Sequence, residues 1–247
     1  MELDGATALV TGSNRGLGRS LAIELVARGA KVYASARRPE LVDIPGAEVL
    51  RLDITDPDSV ASAAAVATDV DVVINNAAFT GGGNLVTGEM DSIRAVMDSS
   101  YYGTLAVIRA FAPILARNGG GAILNVLSVT AWATVHGNTS YAAAKSAQWG
   151  LTNGVRVELA DQGTLVSALV PGLIATDTLL EYARNAGVEL PRDVVLEPDE
   201  LAKLALDGLE AGQTEILDAR GAAAKAALIG PPQVFTFDGG IEAPGRP

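Results

Sequence analysis

Residues 6–18 read Ala6-Thr7-Ala8-Leu9-Val10-Thr11-Gly12-Ser13-Asn14-Arg15-Gly16-Leu17-Gly18, a short apolar run that breaks into three glycines and then into a helical pattern. Strand, tight turn and helix in that order are the setting in which a dinucleotide pyrophosphate is bound. Glycine lets the backbone approach phosphate without a Cβ in the way, and unpaired N–H groups at a helix start favour negative charge. The spacing is Gly-x3-Gly-x-Gly rather than Gly-x-Gly-x2-Gly, so the turn alone also reads as a plain tight connection.

Working outward, the alternation continues. Apolar runs near 6–11, 31–36, 48–53, 71–74, 121–127 and 164–170 are rich in Val, Ile, Leu and Ala with little strict alternation. Strands covered by helices on both faces have this texture. Helical patterns fit near 17–28, 57–67, 88–117 with a break near Ser99, 140–160 and 198–211, the last opening on the acidic Glu197-Pro198-Asp199-Glu200. The expectation is an α/β fold: a single Rossmann-like, doubly wound parallel sheet with helices on both faces, spanning 1–217. Residues 218–247 read as a C-terminal tail that either packs or stays partly flexible. Loops near 77–88, 129–139 and 171–197 exceed the ~2–6 residues usual in such folds and are expected to surround a ligand.

Composition narrows the function classes. With 247 residues, 49% hydrophobic and 19% charged, the chain can bury one sizeable core. Its formal charge of −11 repels nucleic-acid phosphates and anionic lipid, so neither partner is expected. Cysteine is absent and histidine occurs once, which leaves no disulfide framework and no expected metal site. The uncharged stretch Asn118 to Ala144 is long enough for a bilayer, but Gly119-Gly120-Gly121, Asn125, Ser128 and Asn138 make it a buried strand and loop instead. The acidic start Met1-Glu2-Leu3-Asp4-Gly5 carries no signal core, so a soluble cytoplasmic protein is expected.

Two further motifs lie beyond strand ends. Asn75-Asn76-Ala77-Ala78 follows Val72-Val73-Ile74 and sets two amides at the carboxyl edge of the sheet, where ligands bind in open α/β folds. An ordinary Asn-rich strand end is the equal alternative. Ser128 precedes Tyr141, which lies four residues before Lys145. Positions i and i+4 share a helix face, so phenol and amine project side by side. With 5 Tyr and 4 Lys in the chain, a chance Tyr-x3-Lys match is expected only about 0.08 times. A phenol with a pKa near ~10 is a weak catalyst at neutral pH, and a close ammonium together with the positive ring of a bound nicotinamide is expected to lower that value.

These residues, in this order and spacing, resemble the short-chain dehydrogenase/reductase family over nearly the whole length to about residue 217. The resemblance rests on Thr11-Gly12 to Gly18, Asp53, Asn75-Asn76-Ala77, Ser128, Tyr141-x3-Lys145 and Pro171-Gly172 followed by Thr176. It implies hydride transfer between a nicotinamide dinucleotide and a carbonyl or alcohol. Tyr141 is then the proton donor, Ser128 holds the carbonyl oxygen, and Lys145 binds ribose and tunes the phenol. Gly12, Ser13, Asn14, Arg15, Gly16, Leu17 and Gly18 would cradle the cofactor. Asp53 and Ile54 would meet adenine, Asn76 and Ala77 the ribose side, and Pro171, Gly172, Ile174 and Thr176 the nicotinamide. Strand two ends at Ala36-Arg37-Arg38 without a carboxylate, which favours the 2′-phosphate of NADPH over NADH, with Arg37 and Arg15 as contacts. The same resemblance implies a homodimer or homotetramer.

Two departures stand out. The family's Asn-x2-Gly appears as Ser100-Tyr101-Tyr102-Gly103, so the fourth catalytic position, Ser100, keeps a hydroxyl and loses an amide. The Asn-Asn-Ala-Gly signature ends in Ala78. His136 and Trp132 are candidate pocket residues. The expected function is an NADPH-dependent carbonyl reductase acting on a small-molecule carbonyl or alcohol. The alternatives are a cofactor-binding regulatory or scaffold protein with little turnover, and an enzyme reducing an imine or activated alkene. Loops 79–88, 130–139 and 173–197 are of mixed polarity and point only to a medium, largely uncharged substrate.

Overall fold

The computed structural model describes residues 1–186, 190, 195–229, 234–235 and 241–242. The first half runs β1 (Thr7–Thr11), α1 (Gly16–Ala27), β2 (Lys31–Ala36), β3 (Glu48–Arg51), α2 (Pro57–Val66), β4 (Val72–Asn75), α3 (Met90–Met97) and α4 (Thr104–Arg117). Next come β5 (Ala122–Val126), β6 (Thr134–Val135), α5 (Thr139–Glu158), β7 (Leu165–Val170), β8 (Leu173–Ile174) and α6 (Asp177–Ala186). The chain then forms β9 (Val195–Leu196), α7 (Pro198–Glu210), β10 (Glu215–Leu217), α8 (Ala219–Ala226), β11 (Val234–Phe235) and β12 (Ile241–Glu242).

Seven parallel strands form the central sheet in the order β10-β7-β5-β4-β1-β2-β3. From β1 the chain winds out through β2 and β3, then returns to β4 on the other side. The crevice between β1 and β4 is therefore the topological switch point, where open α/β sheets bind ligands. Successive strand residues feed opposite cores. Ala8, Val10, Val72, Ile74, Ala122 and Leu124 pack with Leu21 and Leu25 of α1 and Leu201 and Leu206 of α7. Leu9, Val73 and Ile123 face Val60 of α2, Phe111 of α4 and Leu151 of α5. Both strand faces are apolar for this reason, and the expected doubly wound sheet is the observed one.

Several elements went unread in the sequence, among them β10, α6, α8 and the two-residue strands. Strand β10, only three residues long, joins the sheet edge beside β7. Helix α6 occupies what read as the 171–197 loop. Beyond Leu217, Asp218 caps α8 by accepting from Gly221 N (2.6 Å) and also accepts from Gly172 N (2.7 Å). The segment that read as the start of a tail is thus tied to the loop after β7. Strand β11 pairs with β6 and β12. The rest of that expected tail, 230–233, 236–240 and 243–247, lies outside the described residues. No helix among the described residues is long and apolar enough to cross a membrane.

The expected break near Ser99 is a π-helical segment, Asp98–Gly103, between α3 and α4. A Cβ on Gly103 would lie 2.9 Å from Ile54 Cδ1, so glycine lets this widened turn press against the loop after β3. A buried polar chain ties the sheet to α5: Asn75 Nδ2 donates to Asn125 Oδ1 (2.8 Å), and Asn125 Nδ2 to Thr152 Oγ1 (3.0 Å). Asn125 is fully buried. Replacing Asn125 with Ala strands the Asn75 amide, and urea unfolding should show a loss of about 2–4 kcal/mol with an unchanged m-value.

Candidate active site

At the switch point the end of β1 is stitched to the end of β4. Thr11 Oγ1 donates to the Ile74 carbonyl (3.3 Å) and accepts from Asn76 N and Ala77 N (both 3.0 Å). Asn76 Nδ2 in turn donates to the Thr11 carbonyl (2.9 Å) and the Gly12 carbonyl (3.3 Å). The glycine turn sits in this cradle with no room for side chains. A Cβ on Gly18 would strike the Asn76 amide nitrogen and the Gly12 carbonyl, and one on Gly12, at φ 73°, would lie 3.0 Å from Ala77 Cα. Gly16, at φ 54°, faces the Thr176 methyl at 3.3 Å from its ideal Cβ. Helix α1 starts at Gly16 with no side-chain cap, so its first N–H groups point out of the turn without a side-chain acceptor. The arrangement fits a dinucleotide's phosphates.

Ser128 lies on the loop after β5, and Tyr141 and Lys145 on the helix α5 that packs against that loop. Ser128 follows β5 in extended backbone, and its Oγ accepts from Thr130 N (3.2 Å), which leaves the hydroxyl proton to donate elsewhere. Val129 N donates to the Pro171 carbonyl (2.9 Å), which fixes this loop against the one after β7. Helix α5 brings Tyr141 and Lys145 alongside. Ser146 Oγ bonds the Ala131 carbonyl (2.8 Å), and Lys145 Nζ donates to the Val126 carbonyl (2.9 Å) and to Gln148 Oε1 (2.8 Å). Nζ lies 5.6 Å from the centroid of the Tyr141 ring. The start of α5 also anchors the loop before α3: Asn138 Oδ1 accepts from Gly83 N (3.1 Å), and Ser140 Oγ donates to the Gly83 carbonyl (2.8 Å).

The family model described as short chain dehydrogenase matches residues 6–186. A 3-oxoacyl-(acyl-carrier-protein) reductase of Synechocystis sp. is 30% identical, over 97% of this chain and 98% of its own length. A short chain dehydrogenase from Burkholderia cenocepacia, solved in complex with NADP, superposes with a TM-score of 0.85 at 36% identity, covering 93% of this chain and 94% of that one. A 3-ketoacyl-(acyl-carrier-protein) reductase from Brucella melitensis, complexed with NADH, gives 0.77 at 27% identity, covering 88% and 97%. The chain belongs to the short-chain dehydrogenase/reductase family. Its fold and the order of its motifs are those of NAD(P)-dependent oxidoreductases.

Several expected contacts of this dehydrogenase are corrected by its geometry. Ser13 is fully buried and its Oγ donates to the Val10 carbonyl (2.8 Å), so it builds the turn and has no proton left for a phosphate. Leu17 packs into the core beneath α1, which leaves only its backbone to the site. Ile54 is buried against the core and Gly103. Asp53 Oδ1 accepts from Thr55 N (3.0 Å) and Thr55 Oγ1 (2.7 Å), which leaves Oδ2 for a ligand. The Pro171 carbonyl accepts from Val129 N, Gly172 N–H donates to Asp218, and Ala175 N and Thr176 N donate to the Leu196 and Ile174 carbonyls, so much of that loop's backbone is engaged within the protein. Thr176 Oγ1 caps α6 by accepting from Leu179 N (3.4 Å). Ser100 is fully buried with no hydrogen-bond partner for its Oγ among the described residues. His136 is exposed, and Trp132 stacks edge-on against Trp149 at 6.2 Å.

Asn14 is half-buried, whereas Arg15, Arg37 and Arg38 are exposed at the β1 and β2 ends and, among the described residues, engage in no ion pair. Residues missed in the sequence are Asp218, Ser146 and Gln148; only a three-dimensional neighbour distinguishes them from ordinary helix residues.

Burial governs the electrostatics. Without cofactor it pushes the Tyr141 phenol above its ordinary value. It also pushes Lys145 down from 10.5 to about 7. The same burial that disfavours the ammonium weakens its pull on the phenol proton. An unfolded chain binds more protons than the folded one between about pH 7 and 10.5, so this lysine's cost to stability is full below that window and fades as pH rises. Replacing Lys145 with Met should therefore give a Tm, relative to wild type, that is more favourable at pH 7 than at pH 10, measured by calorimetry without cofactor.

Proposed function

We propose that this chain is an NADPH-dependent carbonyl reductase, reversible as an alcohol dehydrogenase, for a medium-sized and largely uncharged ketone or aldehyde. The observation that carries the reading is the buried Lys145 Nζ, held 5.6 Å from the Tyr141 ring on the helix that packs against the Ser128 loop. When bound, the reduced nicotinamide supplies hydride to the carbonyl carbon. Ser128 donates its unspent proton to the carbonyl oxygen and holds it in place. Tyr141 gives its proton to the same oxygen as charge develops there. Its raised pKa keeps the phenol protonated through neutral pH, which suits the reducing direction. Alcohol oxidation needs the phenolate and draws on the charge of Lys145.

The phosphates fall to the uncapped N–H groups of α1 and the 2′-phosphate to Arg37 and Arg15, with no carboxylate at Ala36 to repel it. The NADP complex of the Burkholderia cenocepacia relative supports the same choice. The 3-oxoacyl substrates in the names of other relatives put β-keto esters and thioesters first in a substrate screen. Assembly as a homodimer or homotetramer through α4 and α5 belongs to the same reading; exposed Tyr102, just before α4, and Val157 of α5 present apolar surface for it.

Replacing Tyr141 with Phe should lower kcat by about 10²–10⁴-fold while leaving NADPH affinity within about twofold. Turnover near wild type would exclude the mechanism. Replacing Arg37 with Asp should lower the ratio of kcat/KM for NADPH over NADH by at least about tenfold. A wild-type enzyme that prefers NADH would overturn the NADP assignment.

A further inference from the structure

The amide that the family carries at the position of Ser100 is absent, yet an amide does reach the catalytic lysine from another place. Gln148 lies one turn beyond Lys145 and is 1% exposed. Its Oε1 accepts from Lys145 Nζ (2.8 Å), while its Nε2 donates to Thr104 Oγ1 (3.0 Å). Thr104 opens α4 directly after the π segment and is itself 1% exposed. These partners fix the amide's direction: turned over, it would set its NH₂ against an ammonium, donor to donor. Ser100, in the same π segment, keeps a buried hydroxyl with no hydrogen-bond partner among the described residues.

We propose that Gln148 is the positioning residue that keeps Lys145 charged and aimed in this chain, with Thr104 orienting its amide, in place of the asparagine that Ser100 replaces. The proposal rests on the reading of Tyr141 and Lys145 as the acid–base pair. An ammonium has three N–H groups. The Val126 carbonyl and Gln148 Oε1 take two of them, leaving a single direction toward the crevice. Hydrogen bonds from a cation to a carbonyl are roughly twice as strong as neutral ones, so Gln148 stabilises the ammonium over the amine. Its backbone carbonyl also accepts from Thr152 Oγ1 (2.8 Å), which links this turn of α5 to Asn125 of β5.

The surroundings leave Gln148 little competition. Strand β5 contributes no titratable side chain. In the π segment Asp98 and Tyr102 are exposed and Tyr101 packs on the core under α4. Arg109 and Arg117 of α4 and Asp91 and Arg94 of α3 are exposed. Tyr141 is the titratable group that faces Lys145.

The test is a 15N NMR titration of the lysine side chains in the protein without cofactor. Lys31, Lys203 and Lys225 are exposed, so the buried Lys145 is resolved from them. Gln148→Met, close in volume but without an acceptor, should lower the Lys145 midpoint by about one pH unit. Thr104→Val should move it in the same direction, and Thr104→Ser should restore the wild-type midpoint. With NADP bound, the acid-side limb of kcat for alcohol oxidation, where the phenolate forms, should move to higher pH in Gln148→Met and Thr104→Val, with the alcohol KM less affected than kcat. An unchanged Lys145 midpoint in Gln148→Met overturns the proposal. So does Thr104→Val titrating as wild type, and this arm stands if Gln148→Met fails to fold. The titration needs no turnover, so a chain that reduces no carbonyl would sink the functional reading while leaving this result readable.

Discussion

Taking a primary ammonium out of water costs several kcal/mol, and for Lys145 that cost is offset by two carbonyl oxygens, the Val126 backbone at the end of β5 (2.9 Å) and the Gln148 side chain on α5 (2.8 Å). The geometry around this amine constrains much of the active site. Val126 must end its strand with a carbonyl facing α5, which requires the helix to lie close across β5. The Asn75–Asn125–Thr152 chain and the Ser146 bond to Ala131 hold it there. The same close packing seats the phenol of Tyr141 beside the Ser128 loop and lifts its pKa by burial. A looser helix would keep the lysine wet and charged but would release the phenol from its place. The protein accepts an uncomfortable amine to fix an aromatic hydroxyl.

The opposite lip of the crevice is built with uncharged groups. Thr11 serves three backbone groups with one hydroxyl, and Asn76 serves two carbonyls with one amide, so the turn between β1 and α1 is rigid before any ligand arrives. Gly12 and Gly18 are required there by space: Ala77 and Asn76 occupy the volume a Cβ would need. Rigid dipoles in a pre-formed cradle favour an anion without reorganisation, and the exposed Arg15 and Arg37 add charge at its rim.

Local chemistry made much of this legible. Apolar runs without strict alternation described strands buried on both faces, and β1, β2, β4, β5 and β7 are such strands. Tyr141 and Lys145 were legible because helical spacing alone puts them on one face. What escaped depends on partners remote in sequence. Strand β10 is three residues at a sheet edge and has almost no pattern of its own. Helix α6 carries a start signal in Thr176-Asp177, but it lies in a segment rich in turn formers that read as loop. Ser13 looked like a phosphate ligand because nothing local shows that its proton is used by Val10. The burial that raises the Tyr141 phenol without cofactor was not legible, because proximity to an amine is visible in sequence and desolvation is not.

The π segment joins these observations. A widened turn at Asp98–Gly103 rotates the residues that follow, so that Thr104 enters α4 facing α5 and can accept from Gln148. Ser99 uses the same turn to reach the loop after β4, accepting from Phe79 N (3.0 Å). Such a turn costs regular hydrogen bonding and persists where a neighbour needs the altered facing. Here two neighbours use it: the loop after β4 through Phe79 N, and the Gln148 amide through Thr104. A serine at position 100 fits without contributing to either, which is why its loss of the amide need not undo the site. The group that must meet an ammonium is a carbonyl oxygen held still, and the fold supplies one from α5 when the π segment does not.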